Sequence, residues 1–247
     1  VPTCALPISW RTQESAVARF ICDVYNPDET RYDGDPRYIL SKQVKRAADM
    51  GYTLNVAPEM EYFWLKSSGE GAPTEADMRG YFDADPADIN QLMRREVALF
   101  ADSFPGLEVD TVHHEVAKSQ HEIDIKYGPA VETADSAMTI KMLVKVVGAR
   151  HGFVGTFIAK PFFVHNGSGM HCHQSLCKDG KNAFFDGSYP NQISQLMRQY
   201  VAGQLKYAKD MTLVLNSWPN SYKRLVPGYE APTYIACGFK NRSMMIR

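Results

Sequence analysis

Apolar and polar positions change period several times along the chain, and each change marks an element. From Pro36 to Met50 the apolar residues Ile39, Leu40, Val44, Ala47 and Ala48 recur at helical spacing, after Gly34-Asp35-Pro36 and before Gly51. That pattern predicts a helix with a proline in its first turn and a glycine stop. A second helix is predicted from Asp85-Pro86 to about Phe104, ahead of Pro105-Gly106. A third runs from Val131 to Arg150, with Met138, Met142, Leu143, Val146 and Val147 along one face, and a fourth from Asn191 to about Lys209. Strands are predicted at Leu54 to Leu65, Val109 to Val116, His121 to Tyr127, Gly155 to Ile158 and Met170 to Leu176. Lys178-Asp179-Gly180-Lys181 is a turn and a candidate hairpin. Helices alternate with strands, but spacings as short as Val116 to His121 suggest antiparallel pairing. The class is α+β with one main domain and no internal repeat.

Composition narrows the partners more than the fold. A chain of 247 residues, 45% of them hydrophobic, is long enough to bury a sizeable core. Its formal net charge of −1 argues against a dedicated nucleic-acid binder and against a polybasic membrane anchor. No apolar run approaches the ~20 residues of a membrane helix, and Val1 to Trp10 lacks the pattern of a signal peptide. Five cysteines (Cys4, Cys22, Cys172, Cys177, Cys237) without a CxxC pair fit a reduced, intracellular protein, so a cytoplasmic location is the expectation. Val1 to Ile8 has no periodicity and no evident partner element, and the apolar run Ser243 to Arg247 ends without a turn signal. Both ends read as truncated, the second as a cut in mid-strand.

The acidic residues sit where a sheet does not ordinarily carry them. Pro58-Glu59-Met60-Glu61 lies inside an apolar strand, and a period of two sends Glu59 and Glu61 to one face and Met60 to the other. Like charges side by side repel, and burying them needs compensation. A bound cation supplies it, while a solvated sheet face is the alternative. A second cluster, His113-His114-Glu115 followed by Gln120-His121-Glu122, brings Glu115 near Glu122 if the connection is tight. A third, Asn166-Gly167-Ser168-Gly169-Met170-His171-Cys172-His173, puts His171 and His173 on one strand face behind a glycine-rich loop, with Cys172 turned away into core packing. Glutamates with few histidines favour Mg²⁺ or Mn²⁺ over zinc. The last cluster, Lys223 to Pro232 with Asn241-Arg242-Ser243 and Arg247, sets a lone glutamate among arginines. It has the form of a lid over an anionic substrate, with a surface loop of solvated charges as the alternative.

Taken in order, Pro58 to Phe63, Gly80 to Asp83, His113 to Asp124, Lys160-Pro161, Asn166 to His173 with Ser175-Leu176, Asn220 to Pro232 and Asn241 to Ser243 resemble the catalytic domain of type I glutamine synthetase. The resemblance extends from about Trp10 to Arg247. It implies an α+β fold with a curved, mainly antiparallel sheet flanked by helices and truncated at both ends. Residues 1–10 are unmatched. Residues 11–247 make a partial catalytic domain, without the family's N-terminal β-grasp domain or its C-terminal part.

The resemblance also implies ATP-dependent ligation of ammonia to L-glutamate through γ-glutamyl phosphate, with two or more Mg²⁺ or Mn²⁺ ions per site. Carried over residue by residue, Glu61, Glu115 and Glu122 hold one metal, and Glu59 and His171 the other. Asn166, Gly167 and Arg224 bind the glutamate substrate, and Glu230 closes over the acyl phosphate and takes a proton from ammonium. Arg242, which is catalytic with Glu230, and Arg247 face the transferring phosphates, with Asp110, His173 and Ser175 on the nucleotide side. Intact relatives assemble as two hexameric rings, so a homo-oligomer is implied, although this chain by itself is expected to be inactive. The closest alternatives are a glutamate–amine ligase of the same superfamily and a non-catalytic remnant. The chain departs from the family pattern at several places. Asp110 replaces the usual Glu, Lys118-Ser119 stands where Pro-Gly or Ala-Gly is common, and Val164-His165, Ser217-Trp218-Pro219 and Ala236-Cys237-Gly238 also differ.

Overall fold

The computed structural model describes residues 3–7, 18–69 and 71–247. Expectations for residues 1, 2 and 8–10 lie outside these. Strand β1 (Thr3–Pro7) pairs antiparallel with β2 (Ala18–Ile21), so the N-terminal stretch does have a partner. Helix α1 (Pro36–Asp49) starts where Asp35 accepts the N–H of Arg37 and Pro36 occupies the first turn. Strands β3 (Thr53–Lys66) and β4 (Thr74–Glu75) follow, then α2 (Ile89–Ala101) and the hairpin β5 (Val109–His114) and β6 (Gln120–Ile125). The short β7 (Gly128–Pro129) leads into α3 (Ala130–Arg150), which returns to β8 (Phe153–Thr156). After β9 (Met170–Lys178) and β10 (Lys181–Asn182) come a 3₁₀ turn (Pro190–Gln192), the long α4 (Gln195–Leu215) and the short α5 (Pro219–Arg224).

β3 is the spine of the main sheet. One of its edges pairs with β9 along residues 53–60 and with β8 along 63–66. The other takes β7, β6 and β4 in turn, and all of these pairings are antiparallel. Pro58, which has no N–H to give a ladder, falls between β7 and β6 on that second edge. The Asp179-Gly180 turn between β9 and β10 has positive φ at both residues (50° and 74°), the geometry that joins strands through two residues.

Alternation along β3 sends Met60, Tyr62 and Trp64 into the core, where Ile123 and Ile125 of β6 join them against α2 and α3. Met93, Val97, Ala101, Ile140, Leu143, Val144 and Val147 are among the fully buried residues those helices contribute. Trp64 Nε1 donates to Val144 O at 3.0 Å, which satisfies the indole's polar atom inside the core. The approach of α3 needs Gly148, since a Cβ there would stand 2.9 Å from Trp64 Nε1.

Several boundaries differ from the sequence pattern, β8 among them, at Phe153–Thr156 instead of Gly155 to Ile158. Asp85-Pro86-Ala87 forms a turn closed by Asp88 N to Asp85 O at 2.9 Å, so α2 begins at Ile89 with Asp88 as its cap. Asn191 and Gln192 take positive φ (58° and 59°), and α4 begins only at Gln195, capped by Ser194. It then runs on past Lys209 to Leu215. The short α5 carries no side-chain cap and went unpredicted. Cys172 does face away from His171 and His173 but is exposed rather than packed in a core. No described helix is long and apolar enough to cross a membrane.

Candidate active site

The face of the sheet opposite the core is built by register. Across β3 and β6, Glu59 stands opposite Asp124 and Glu61 opposite Glu122. On the other edge of β3, Glu59 stands opposite His171, Ala57 opposite His173 and Asn55 opposite Ser175. β5 adds His113 opposite Glu122. Directly paired residues of antiparallel strands share a face, so these side chains form one polar row across the middle of the sheet. Two of the cross-strand pairs, Glu59–Asp124 and Glu61–Glu122, are like-charged, an arrangement that destabilises a sheet unless something neutralises it.

The histidines supply part of that neutralisation. His173 Nε2 lies 2.5 Å and His171 Nδ1 3.2 Å from Glu59, and His171 Nδ1 is 4.0 Å from Glu61. Burial pushes the Glu59 carboxyl up, but the His173 bond, with His171 and Arg247 nearby, holds it below its ordinary value. His113 Nε2 lies 3.2 Å from Glu122 and its Nδ1 3.8 Å from Glu115. Burial lowers the His113 value, and its contacts with Glu122 and Glu115 outweigh this and raise it to about 8.

Glu61 is buried, as Glu122 and His113 are. Its Oε2 accepts Gly169 N at 2.9 Å and Gln120 Nε2 at 3.0 Å, and Gln120 Nε2 also reaches Gly167 O at 3.1 Å. Burial raises Glu61 to about 7, with Glu115 and Glu122 adding to it and Gly169 N–H and Arg224 opposing it. Asp124 is also raised to about 7, by burial and then by Glu122 and Glu59. Burial pushes Glu115 up as well.

One ligand atom each from Glu59, Glu122 and His171 lies within 4.8 Å of the others, and the same holds for His113, Glu122 and Asp124. Carboxylate oxygens with a single imidazole nitrogen suit a hard divalent cation. Thus the residues fit Mg²⁺ or Mn²⁺, and a cation among them removes the like-charge conflict across the strands.

The glycine-rich segment and the basic loop close around this row. A Cβ at Gly167 would stand 2.1 Å from Ala159 O, and one at Gly169 would stand 2.4 Å from Arg224 Nη2, so neither position has space for a side chain. Arg224 ends α5 beside Glu61, with its buried Nε free of any hydrogen bond. Asn166 Nδ2 donates to Glu230 Oε2 at 2.8 Å, holding Glu230, which has φ 55°, over the row. Arg247 Nη2 is 3.9 Å from Glu59. The nearby Tyr81 hydroxyl, with Glu230 and Glu115, holds the Arg242 guanidinium above its ordinary value. Asp110 is exposed in the irregular stretch of β5 between Val109 and Thr111. Ser175 lies further along β9 toward an open cavity of about 440 Å³ lined by Tyr52, Asn55, Tyr127 and Cys177 among others.

Sequence reasoning placed His113 and Gln120 in a cluster but gave no role to them or to Asp124. The signal for Asp124 was present, because it follows Glu122 by two residues as Glu61 follows Glu59.

A family model, glutamine synthetase catalytic domain, matches residues 33–247. Glutamine synthetase from Clostridium saccharobutylicum is 49% identical over 240 residues, covering 96% of this chain and 54% of that protein. The Methanosarcina mazei glutamine synthetase is 47% identical over 242 residues, covering 97% of this chain and 54% of its own length. Among solved structures, Plasmodium falciparum glutamine synthetase superposes with a TM-score of 0.86 at 26% identity, covering 94% of this chain and 51% of that one. GmaS in complex with ADP gives 0.83 at 30% identity, covering 99% and 58%. The sheet carries this acidic row on one face and helices on the other. The chain belongs to the glutamine synthetase catalytic-domain family, and it spans about half the length of the curated relatives it matches.

Proposed function

We propose that this chain carries the catalytic face of an ATP-dependent glutamate–ammonia ligase. The observation that carries the reading is the pair of like-charged cross-strand contacts, Glu59–Asp124 and Glu61–Glu122, completed by His171 on one face of a sheet of this family. A substrate carboxylate oxygen attacks the γ-phosphorus of ATP, the bond to ADP breaks, and ammonia then displaces phosphate from the acyl phosphate. Two anions must meet in the first step, and divalent cations supply the neutralisation. Glu59, Glu61, Glu115, Glu122 and His171 are the residues that would hold them.

The remaining residues are proposed for the roles that the family resemblance implies. Arg224, buried and with a free Nε, suits the α-carboxylate of L-glutamate beside Asn166 and Gly167. Glu230, held by Asn166, is placed to accept a proton as ammonium becomes ammonia. Arg242 and Arg247 approach the row from the C-terminal loop and suit the transferring phosphates. Asp110, His173 and Ser175 are the residues proposed for the nucleotide, and Ser175 pairs with Asn55, which lines the cavity at Tyr52 and Tyr127. A cytoplasmic homo-oligomer belongs to the same reading, its size to be measured by light scattering.

Mn²⁺ titration of this chain is the direct test. Saturable binding that disappears when Glu61 and Glu122 are both changed to Gln is expected, and a chain that binds no Mn²⁺ sinks the reading. The acceptor is tested by glutamate-dependent phosphate release in a protein with the relatives' full length. Ammonium should exceed methylamine and putrescine by at least about ten-fold, equivalent to ~1.4 kcal/mol of discrimination. The reverse order makes the protein a glutamate–amine ligase.

A further inference from the structure

Behind the carboxylate face lies a buried polar cluster that none of the roles above uses. Asp77, in the loop after β4, places Oδ1 2.9 Å from His114 Nε2 and accepts the N–H of Ser119 at 3.0 Å. His114 Nδ1 meets the carbonyl of Glu115 at 2.6 Å. Ser119 is fully buried with φ 64°, a conformation that favours glycine, and the family resemblance puts glycine there. Its hydroxyl accepts two backbone N–H groups, Ala76 at 2.6 Å and Asp77 at 3.1 Å, while its carbonyl accepts Trp64 N at 3.1 Å. The next residue is Gln120, whose amide holds Glu61 and the carbonyl of Gly167. Hydrogen bonds therefore tie the loop at Ala76-Asp77 to His114 and Ser119, His114 to the main-chain carbonyl of Glu115, and Gln120, next to Ser119 in the chain, to the Glu61 carboxylate.

Ligand atoms of Asp77, His114 and His121 also lie within 4.8 Å of one another, the spacing of a metal site. The chemistry there does not fit a cation. His121 Nδ1 is 2.8 Å from the Arg94 guanidinium, which can only donate, so the ring proton sits on Nε2 and no lone pair faces Asp77. A fixed positive charge at that distance also repels a cation.

We propose that Asp77 and Ser119 are positioning residues, which lock the β5–β6 turn so that Glu115, and Glu61 through Gln120, meet a bound divalent cation at fixed spacing. The proposal rests on the reading of the acidic row as a metal site. Serine in place of glycine is then a gain in preorganisation, since its hydroxyl ties down a loop that glycine leaves unbonded.

The test is Mn²⁺ affinity of the whole chain, followed by electron paramagnetic resonance, with melting temperature measured in parallel. Ser119→Gly relieves the left-handed backbone while deleting the hydroxyl, so it should leave the melting temperature nearly unchanged yet weaken Mn²⁺ about ten-fold or more. Asp77→Ala should weaken it by about ten- to a hundred-fold. Asp35→Ala, which removes the distant cap of α1, should lower the melting temperature and leave Mn²⁺ affinity alone. Wild-type affinity in folded Ser119→Gly and Asp77→Ala overturns the proposal by itself. If Asp77→Ala does not fold, Ser119→Gly decides. A wild-type chain that binds no Mn²⁺ overturns the metal reading and this proposal with it.

Discussion

Gly167 and Gly169 flank Ser168 in one loop, yet a methyl group added at each meets a different obstacle. At Gly167 the obstacle is the backbone carbonyl of Ala159, 2.1 Å away, which also accepts the Ser168 N–H at 2.9 Å. Relief requires the loop to move off its anchor. Gly167→Ala is therefore expected to lose about 1–3 kcal/mol of stability, read from the urea midpoint. At Gly169 the obstacle is Arg224 Nη2, the far end of a flexible side chain. Gly169→Ala displaces that guanidinium from Glu61 and leaves the loop in place. Its urea midpoint should stay close to wild type while glutamate affinity falls at least about ten-fold, equivalent to ~1.4 kcal/mol. Equal urea midpoints for the two variants would show that the loop is not pinned at Ala159.

At the scale of elements, the acidic row depends on the packing of β3 against α3. Leu143→Ala, in the fully buried face of α3, should cost about 2–5 kcal/mol by urea unfolding and leave Mn²⁺ affinity per folded molecule unchanged, because β3, β6 and β9 set the ligand register among themselves. The elements legible in the sequence are those with a local cause. Asp35-Pro36 and Gly51 bound α1, Asp179-Gly180 makes its hairpin, and period two exposes Glu59 and Glu61. Where the cause is tertiary the pattern fails. Nothing local announces that Asn191 and Gln192 take positive φ or that α5 closes after Pro219. Cys172 was assigned to a core because its strand alternates, but β9 is not covered there. The row itself was legible in part. Glu115 and Glu122 were paired through a tight turn, and the structure shows His113 contacting both. Asp77 and Gln120 reach the site through partners about 40–60 positions away, at His114, Ser119 and Glu61, which no spacing rule connects.

For the whole molecule, the cost of gathering these carboxylates sets how stability depends on pH. Glu61 stands near 7 against an ordinary 4.5, and Asp124 near 7 against 3.8. Between those limits the folded chain keeps protons that the unfolded chain has released, so stability of the cation-free chain falls as pH rises through the window. His113, raised from 6.5 to about 8, acts in the same direction, since its contribution is complete below its ordinary value and lost as pH passes about 8. Asp77 works the other way but elsewhere, because at about 2 its contribution is present above 3.8 and lost only in stronger acid. His121 and His171, both lowered by burial from 6.5, oppose this trend only below that value, so the cation-free melting temperature should decline from about pH 6.5 to about pH 8.5. A divalent cation competes with the same protons, so the increase in melting temperature produced by Mn²⁺ should be small at the acid end and grow toward the alkaline end. Differential scanning fluorimetry with and without Mn²⁺ across this range reads both slopes. A cation-free melting temperature that stays flat or climbs would mean that Glu61 and Asp124 lose their protons without strain, and the like-charged pairs across β3 and β6 would then need no cation to hold them.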